Sequence, residues 1–377
     1  MTVGEQAFVL LGGGVDAVDI VERVSRMGYR TVVIDRDEDA PAKPEAAEFL
    51  CASCYHEAPV LTALEDWAKK TKGRPAAVMC AGVDAPHVAA AVAERWGLVG
   101  PSRRTAALSR DKYRQKEVLR RVWVRVPWYD STRKLDVDAV DHLREDGWDL
   151  VVKPVDSRGG RGVIRLLPTV DTAWALGEAQ AHSSVGEAII ERWITGAQVS
   201  AESIISGGRL LWTSLAERNY ARLDEFAPYV IEDGSDMPLS DALDNCETLA
   251  AGRVNEQMQA AADAIGLLDG TLKGDVVLNG SMVTVIEVAA RLSGGSFCSV
   301  MTPLCWGVDV VGLAARIALG ERLTTADVRP WFARHVCQRF AFPRRPTCHP
   351  ERGGHIIATG MSREEARANA AALLGGA

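Results

Sequence analysis

Residues 286–295 read Ile-Glu-Val-Ala-Ala-Arg-Leu-Ser-Gly-Gly. A hydrophobic run leads into this stretch, so Glu287 and Arg291 fall two alternations apart on one face of a strand. A second apolar run begins at Asp275, and Asn279-Gly280 between the two runs is typical of a tight hairpin turn. The pattern predicts two antiparallel strands that hold Asp275 close to Glu287.

This hairpin has the side chains of a metal and phosphate site. Two carboxylates suit Mg²⁺, which prefers a few carboxylates together with phosphate oxygens, and Arg291 adds a guanidinium. The small residues Ser293-Gly294-Gly295 that follow let a ligand approach the backbone. A solvated hairpin with scattered charges is the alternative, which these glycines disfavour. We therefore predict metal ligands at Asp275 and Glu287, and substrate contacts at Arg291, Gly294 and Gly295.

Composition excludes several functional classes. The chain has 377 residues, 47% of them apolar and 25% charged, without an apolar run near the ~20 residues that span a bilayer. Its net charge of −7 argues against general binding of nucleic acids or anionic membranes. The N-terminal residues lack the basic region of a signal peptide, and eight scattered cysteines fit reduced thiols. We expect a cytoplasmic protein.

The order of strand and helix signals predicts the fold class. Strands and helices alternate over residues 7–100, which indicates a parallel sheet covered by helices, and Gly100-Pro101 ends this segment. The later elements are predicted as a basic helix near 110–121, a strand at 150–153, a glycine-rich turn at 156–162, strands over 188–215, a long surface loop over 216–245 and a helix near 247–266.

The N-terminal glycines keep a second function open. Residues 12–17, Gly-Gly-Gly-Val-Asp-Ala, match G-x-G-x-x-[GA] between a strand and a helix. Asp35 ends the next strand, where a ribose-binding acid stands in NAD-dependent dehydrogenases. A glycine-rich first turn serves any ligand at a helix N-terminus, however. The second half of the chain, moreover, holds a separate set of phosphate-binding residues.

That second set points to a nucleotide. Lys153 ends a buried strand, with only Asp156 as an obvious ion-pair partner nearby in sequence. The glycines of the following turn let backbone N–H groups cradle phosphate oxygens, although the P-loop pattern is missing. Lys112 adds a cation from a basic segment. This segment is either a solvated helix or a source of positive charge above a bound polyphosphate. Residues 191–194 are either a plain edge strand or a segment that clasps an adenine. The predicted nucleotide contacts are Lys112, Lys153, Ser157, Gly159, Gly160, Gly162, Glu191, Trp193 and Ile194.

In order and spacing, these residues resemble the ATP-grasp superfamily over nearly the whole chain. The resemblance implies an α/β ATP-grasp fold with an N-terminal Rossmann-like domain (1–101), a small central lid subdomain (102–187) and a C-terminal α+β catalytic subdomain (188–377). It implies ATP and Mg²⁺ as cofactors, with Lys112 and Lys153 on phosphates. It also implies that Asp275 and Glu287 bind the metal and that Arg291 is catalytic.

Differences from the usual ATP-grasp motifs indicate which branch of the superfamily the chain resembles. Ala289 replaces the asparagine of Glu-x-Asn-x-Arg, and Gln198 stands where a ribose-binding glutamate is usual. Glu-x-Ala-Ala-Arg is similar to the branch of L-amino acid ligases, which make dipeptides. Residues 232–238 are similar to that branch's Glu-x-Gly-His-x-x-Pro loop, with Ser235 in the histidine's place. The resemblance implies that Glu232 and Ser235 border the substrate, and we expect Glu232 to pair with an α-ammonium.

The predicted activity is Mg-ATP-dependent ligation of a carboxylate, that of an amino acid, to an amine. An acyl phosphate is the intermediate, and ADP and phosphate are released. Lys153 and Arg291 are the predicted catalytic residues. The partners would be small molecules, without nucleic acid or membrane, and a homodimer is left open. Two alternatives remain: an NAD-dependent dehydrogenase, and a non-catalytic nucleotide-binding protein suggested by Ala289 and Gln198.

Overall fold

The computed structural model describes residues 6–245, 249–342 and 352–375. The first unit is a parallel four-stranded sheet in the order β3-β2-β1-β4. Phe8 and Leu10 pack in one apolar cluster with α1, whereas Val9 and Leu11 pack in another with α2 and α3. The elements are β1 (Gln6–Leu11), α1 (Val15–Arg26), β2 (Arg30–Asp35), β3 (Glu48–Cys51), α2 (Glu57–Thr71), β4 (Arg74–Cys80) and α3 (Pro86–Trp96). This agrees with the predicted alternation.

The basic helix predicted near 110–121 is α5 (Lys112–Arg121), and a further helix, α4 (Arg103–Arg110), precedes it. Asp111 between them is extended, and its carboxylate accepts a hydrogen bond from the Arg114 backbone N–H at 2.9 Å, which caps α5. The break places Lys112 at the first position of α5. Its ammonium reaches the glycine-rich turn and donates to the Ser157 carbonyl at 2.7 Å.

A small antiparallel sheet follows, in the order β5-β8-β6-β7. Its elements are β5 (Tyr129–Ser131), α6 (Val137–Glu145), β6 (Leu150–Pro154), β7 (Ile164–Arg165), α7 (Thr172–Ala181) and β8 (Ala188–Arg192). Because β8 pairs with β5 and β6, it belongs to this sheet, although the sequence-based boundary at residue 188 assigns it to the next segment.

The third unit is an antiparallel seven-stranded sheet in the order β13-β12-β9-β10-β11-β14-β15. Its elements are β9 (Ala197–Ser206), β10 (Arg209–Asn219), α8 (Leu223–Phe226), β11 (Gly234–Met237), α9 (Ala250–Ile265), β12 (Gly270–Asn279), β13 (Met282–Ala289), a π-helical turn (Phe297–Met301), α10 (Thr302–Trp306), α11 (Val310–Ala318), β14 (His335–Phe340), β15 (His355–Gly360) and α12 (Arg363–Gly375). The predicted start of α9 near residue 247 lies outside the described residues.

The prediction of one long surface loop over residues 216–245 is wrong. β10 extends to Asn219, and β11 is a buried strand between β10 and β14. The sequence of β11, Gly-Ser-Asp-Met, is polar, but Asp236 is neutralised by Arg339 and Arg367 from β14 and α12. Because these two arginines, although distant in sequence, neutralise the carboxylate, the polar strand can be buried inside the sheet. In the part of the chain that the structure describes, no helix is long and apolar enough to cross a membrane.

Candidate active site

Asp275 and Glu287 face each other across the hairpin of β12 and β13. Asn279 pairs with Met282 at the turn, as the sequence predicted, and a β-bulge between Asp275 and Val276 shifts the register so that Asp275 lies opposite Glu287. Both carboxylates line a cavity of about 370 Å³ that also receives the glycine-rich turn and the loop after β4. This volume lies within the ~300–1,000 Å³ of small-molecule sites.

A lysine that sequence reasoning missed lies between the two carboxylates. Lys273 Nζ is 2.6 Å from Asp275 Oδ2 and 3.2 Å from Glu287 Oε1. Lys273 precedes Asp275 by two residues on β12, so both side chains point to the same face. That spacing is the one signal that could have found it. Burial alone would raise the pKa of Glu287, but Lys112, Lys273 and Lys153 lower it well below its ordinary value.

We expect Lys273→Met to make the folded protein dependent on a divalent cation. Without the ammonium, Asp275 keeps Arg218 and Glu287 keeps Lys112 as partners, but repulsion between the two carboxylates increases. The melting temperature should therefore fall, and Mg²⁺ should raise it again by taking the vacated place between them. Differential scanning calorimetry with and without Mg²⁺ measures this. Lys69→Met, at an exposed position on α2, is the control. An equal Mg²⁺ shift in Lys273→Met and the parent protein would contradict the expectation.

Lys153 belongs to a buried cluster rather than standing alone. Its Nζ lies 2.9 Å from Glu191 Oε2, and Lys116 Nζ lies 3.1 Å from Glu191 Oε1. Asp156, the partner considered from sequence, instead accepts hydrogen bonds from Ser183 and Ser184. Glu191 is 1% exposed, and its carboxylate is engaged by two lysines. The carboxylate is therefore a counter-ion for Lys153 rather than a free contact for adenine.

The glycine-rich turn closes over a second cavity that adjoins the first. Gly159, Gly160 and Gly162 all have positive φ, and a Cβ on Gly162 would lie 2.8 Å from Pro154 Cγ, so this turn requires glycine. Gly162 shapes the turn without lining either cavity. The predicted nucleotide residues that line the second cavity are Lys112, Lys153, Ser157, Gly159, Gly160, Glu191, Trp193, Ile194 and Gln198. The structure thus brings together nearly the whole predicted set.

Arg291 is tied to the first unit by an aspartate that sequence reasoning missed. Arg291 Nε donates to Asp84 Oδ1 at 2.9 Å, and Asp84 lies in the loop after β4. Burial would raise the pKa of Asp84, but Arg291 lowers it below its ordinary value. Parallel sheets bind ligands at the carboxyl ends of their strands. The position of Asp84 just after β4 could therefore have marked it as a site residue from the sequence.

The loop after Arg291 is tethered at several points. Ser293 donates to Glu202 Oε2 from its backbone N at 3.0 Å and from Oγ at 2.6 Å. Gly295 N donates to Asp16 Oδ2 at 3.2 Å. Gln338 Nε2 donates to the Gly295 carbonyl at 2.6 Å. These bonds give Ser293–Gly295 a defined backbone along the cavity wall.

Glu202 predicts a pH-dependent stability difference. Burial raises its pKa from 4.5 to about 7, although the hydrogen bonds from Ser293 favour the carboxylate. Because the folded state holds this proton more tightly than the unfolded state, the stability contributed by the neutral form is lost as the pH rises from about 4.5 through 7. Glu202→Gln keeps the acceptor and does not ionise. We expect the two proteins to have similar stability at pH 4.5 and the variant to be more stable by about 1–3 kcal/mol above pH 7. Urea unfolding across this range tests it, and a constant difference would refute it.

Residues 109–295 match the ATP-grasp domain family. This chain contains an ATP-grasp domain. Over 205 residues it is 30% identical to a formate-dependent phosphoribosylglycinamide formyltransferase of Synechococcus sp. (strain CC9311), and the alignment covers 52% of this chain and 49% of that protein. The chain therefore spans about half the length of the curated relative that it matches.

Solved structures show the ATP-grasp fold over almost the entire chain. The L-amino acid ligase of Bacillus licheniformis superposes with a TM-score of 0.76 and 18% identity, covering 98% of this chain and 96% of that one. N5-carboxyaminoimidazole synthetase of Staphylococcus aureus complexed with ADP gives a TM-score of 0.75 and 15% identity, with 98% and 96% coverage. The predicted ATP-grasp domain and the predicted fold class are confirmed. ATP with Mg²⁺, the predicted cofactor pair, agrees with this domain and with the nucleotide-bound neighbours.

The N-terminal glycine turn is held by contacts within the protein. Gly13 N donates to Asp35 Oδ2 at 2.7 Å and Asp37 N donates to Asp35 Oδ1 at 3.0 Å. Asp35, the acid considered for ribose binding, therefore closes the glycine turn. Asp16 turns toward the Ser293–Gly295 loop and accepts from Gly295 and Ser296. With the ATP-grasp domain, these contacts argue against the NAD-dependent dehydrogenase.

The donor set of the ATP-grasp domain fits a magnesium ion. Asp275 and Glu287 present carboxylate oxygens to the same space, and Ala289 offers no third oxygen ligand from its side chain. Among the described residues, no group of three His, Cys, Asp or Glu side chains is placed to hold a metal. Two carboxylates with substrate phosphate oxygens and waters are a usual magnesium environment.

Glu232 and Ser235, which were predicted to border the substrate, both line the first cavity. Arg218 Nε donates to Glu232 Oε2, and Arg352 Nη2 lies 3.0 Å from Glu232 Oε1. Both carboxylate oxygens therefore already contact guanidinium groups, which argues against the predicted pairing of Glu232 with an α-ammonium. Ser235 is buried on β11, and its Oγ lies 3.3 Å from Gln338 Oε1.

Proposed function

We propose that this protein is an ATP-dependent ligase that joins a carboxylate to an amine through an acyl phosphate, releasing ADP and phosphate. The observation that carries the proposal is the continuity of the two cavities. The residues predicted for the nucleotide line one cavity and Arg291 with the Ser293–Gly295 loop lines the other, while Asp275 and Glu287 line both. Similarity to an L-amino acid ligase makes an amino acid the first acid to test, with a dipeptide as its product.

Each part of the site has a role in this reaction. Magnesium, when bound, would neutralise phosphate charge, and Asp275 and Glu287 would hold it. Lys112 and Lys153 would bind phosphate oxygens and stabilise the charge spread over the transferred group. Arg291, oriented by Asp84, would stabilise the oxyanion that forms when the amine attacks the acyl phosphate. The glycine-rich turn would exclude water, which would otherwise hydrolyse that intermediate.

An oxygen-transfer experiment tests the proposal. The protein is incubated with Mg-ATP, ¹⁸O-carboxylate amino acids or small acids, and amines, singly and in pairs, and the released phosphate is analysed by mass spectrometry. We expect one ¹⁸O atom in the phosphate. A carboxylate oxygen becomes bonded to phosphorus when the acyl phosphate forms, and it leaves with the phosphate when the amine attacks the carbonyl carbon and the C–O bond breaks. Nucleotide binding without ¹⁸O transfer for any pair would instead favour the non-catalytic nucleotide-binding alternative, which Ala289 and Gln198 suggest.

A further inference from the structure

Positive charge exceeds negative charge in the wall of the first cavity. Four carboxylates line it, namely Asp84, Glu232, Asp275 and Glu287. Eight basic side chains line it as well, namely Arg110, Lys112, Arg158, Arg161, Arg218, Lys273, Arg291 and Arg352. The cavity as a whole therefore attracts anions.

Every carboxylate of this wall already has a basic partner. Asp84 pairs with Arg291, and the hairpin carboxylates pair with Lys112, Lys273 and Arg218. Glu232 pairs with Arg218 and Arg352. A substrate ammonium would have to displace one of these cations, which makes recognition of a cationic group at this wall costly.

The basic residues divide between the two ends of the site. Arg158 and Arg161 lie on the glycine-rich turn and line both cavities, so they face the predicted triphosphate. Arg352 lines the first cavity alone. Its guanidinium lies 4.4 Å from the centre of the Phe340 ring and is held by Glu232, so its position is defined from two sides.

Arg218, Glu232 and Arg352 form a chain of ion pairs, in which Arg218 contacts two carboxylates, Glu232 and Asp275, whereas Arg352 contacts Glu232. Glu232 uses one oxygen for each arginine. Each guanidinium has five N–H donors, more than these contacts use, in a planar geometry that matches carboxylate and phosphate oxygens. The side chain of Arg352 is 31% exposed, so it is accessible from the cavity, whereas Glu232 is 16% exposed.

We propose that the substrate at this end carries an anionic group, a carboxylate or a phosphate, in addition to the carboxylate that reacts, and that Arg352, supported by Glu232 and Arg218, binds this group. The inference rests on the proposed ligase function, because that function makes the first cavity the substrate end. Arg352 is thus a specificity residue that contacts the part of the substrate remote from the reacting carboxylate.

Calorimetric binding to the full-length protein saturated with magnesium and a non-hydrolysable ATP analogue tests the inference. The probes are butyrate, succinate and 3-phosphonopropionate, at fixed ionic strength. We expect at least one of the two dianionic probes to bind about tenfold or more tightly than butyrate, because a charge-assisted contact is added. A preference for succinate identifies a carboxylate, and a preference for 3-phosphonopropionate identifies a phosphate.

Two variants and a control complete the test. Arg352→Gln should remove the preference by weakening the binding of succinate or 3-phosphonopropionate more than that of butyrate, whereas Arg352→Lys, which keeps a point charge, should retain part of the preference. Arg209→Gln, at an exposed position on β10, should behave as the parent protein. Equal binding of the three probes, or no binding of any of them to the nucleotide-saturated protein, overturns the inference. Failure of the ATP analogue to bind would instead overturn the proposed function.

Discussion

Glu287→Gln is expected to lower ligase turnover at least about a hundredfold while the protein stays folded. Glutamine has nearly the same shape but loses the charge that pairs with Lys112 and Lys273 and that would hold magnesium. Loss of such a ligand costs about 3 kcal/mol or more of transition-state stabilisation. Phosphate release with the best substrate pair, together with circular dichroism, measures the two parts of this expectation.

The matched control for this variant is Glu321→Gln, which removes a carboxylate of the same type from a surface ion pair with Arg316. It should keep full activity. If Glu287→Gln retains more than about a tenth of the parent activity, Glu287 is not a metal ligand, because such a small loss is below the contribution of a metal site.

Lys153→Met is expected to weaken ATP binding by about tenfold or more and to reduce turnover further. The ammonium at the end of β6 lines the second cavity and would contact phosphate oxygens. The structure adds a consequence for stability. Glu191 loses one partner but keeps Lys116 at 3.1 Å, so the melting temperature without nucleotide should fall only modestly. Calorimetry with ATP and thermal unfolding without it give both values.

Lys116→Met separates the two effects. Lys116 is fully buried and lies behind Glu191 rather than in either cavity wall. We expect its loss to lower stability more than ATP affinity, the reverse of the expectation for Lys153→Met. Unchanged ATP affinity in Lys153→Met, together with a lower melting temperature, would mean that Lys153 is a structural ion-pair residue.

Local patterns in the sequence determined the parts of the site that depend on near neighbours. Asn279-Gly280 between two apolar runs predicted the hairpin and its register from Asn279 back to Val276, because a two-residue turn leaves little freedom in strand pairing. The β-bulge that then places Asp275 opposite Glu287 is not among these local signals. The glycines at 159–162 likewise predicted a turn with positive φ. In each case the physical cause lies within a few residues, so the sequence alone carries it.

Which charged side chains pair with each other depends on the tertiary fold. Asp84 and Arg291 are separated by 207 positions, and Lys153 and Glu191 by 38, yet each pair is in contact. Burial makes an unpaired charge so costly that the fold brings such partners together wherever they lie in the chain. A sequence pattern shows that a residue is charged but not which distant counter-ion it receives. For this reason Glu232 could be predicted at the substrate end, while its neutralisation by two arginines required the assembled seven-stranded sheet.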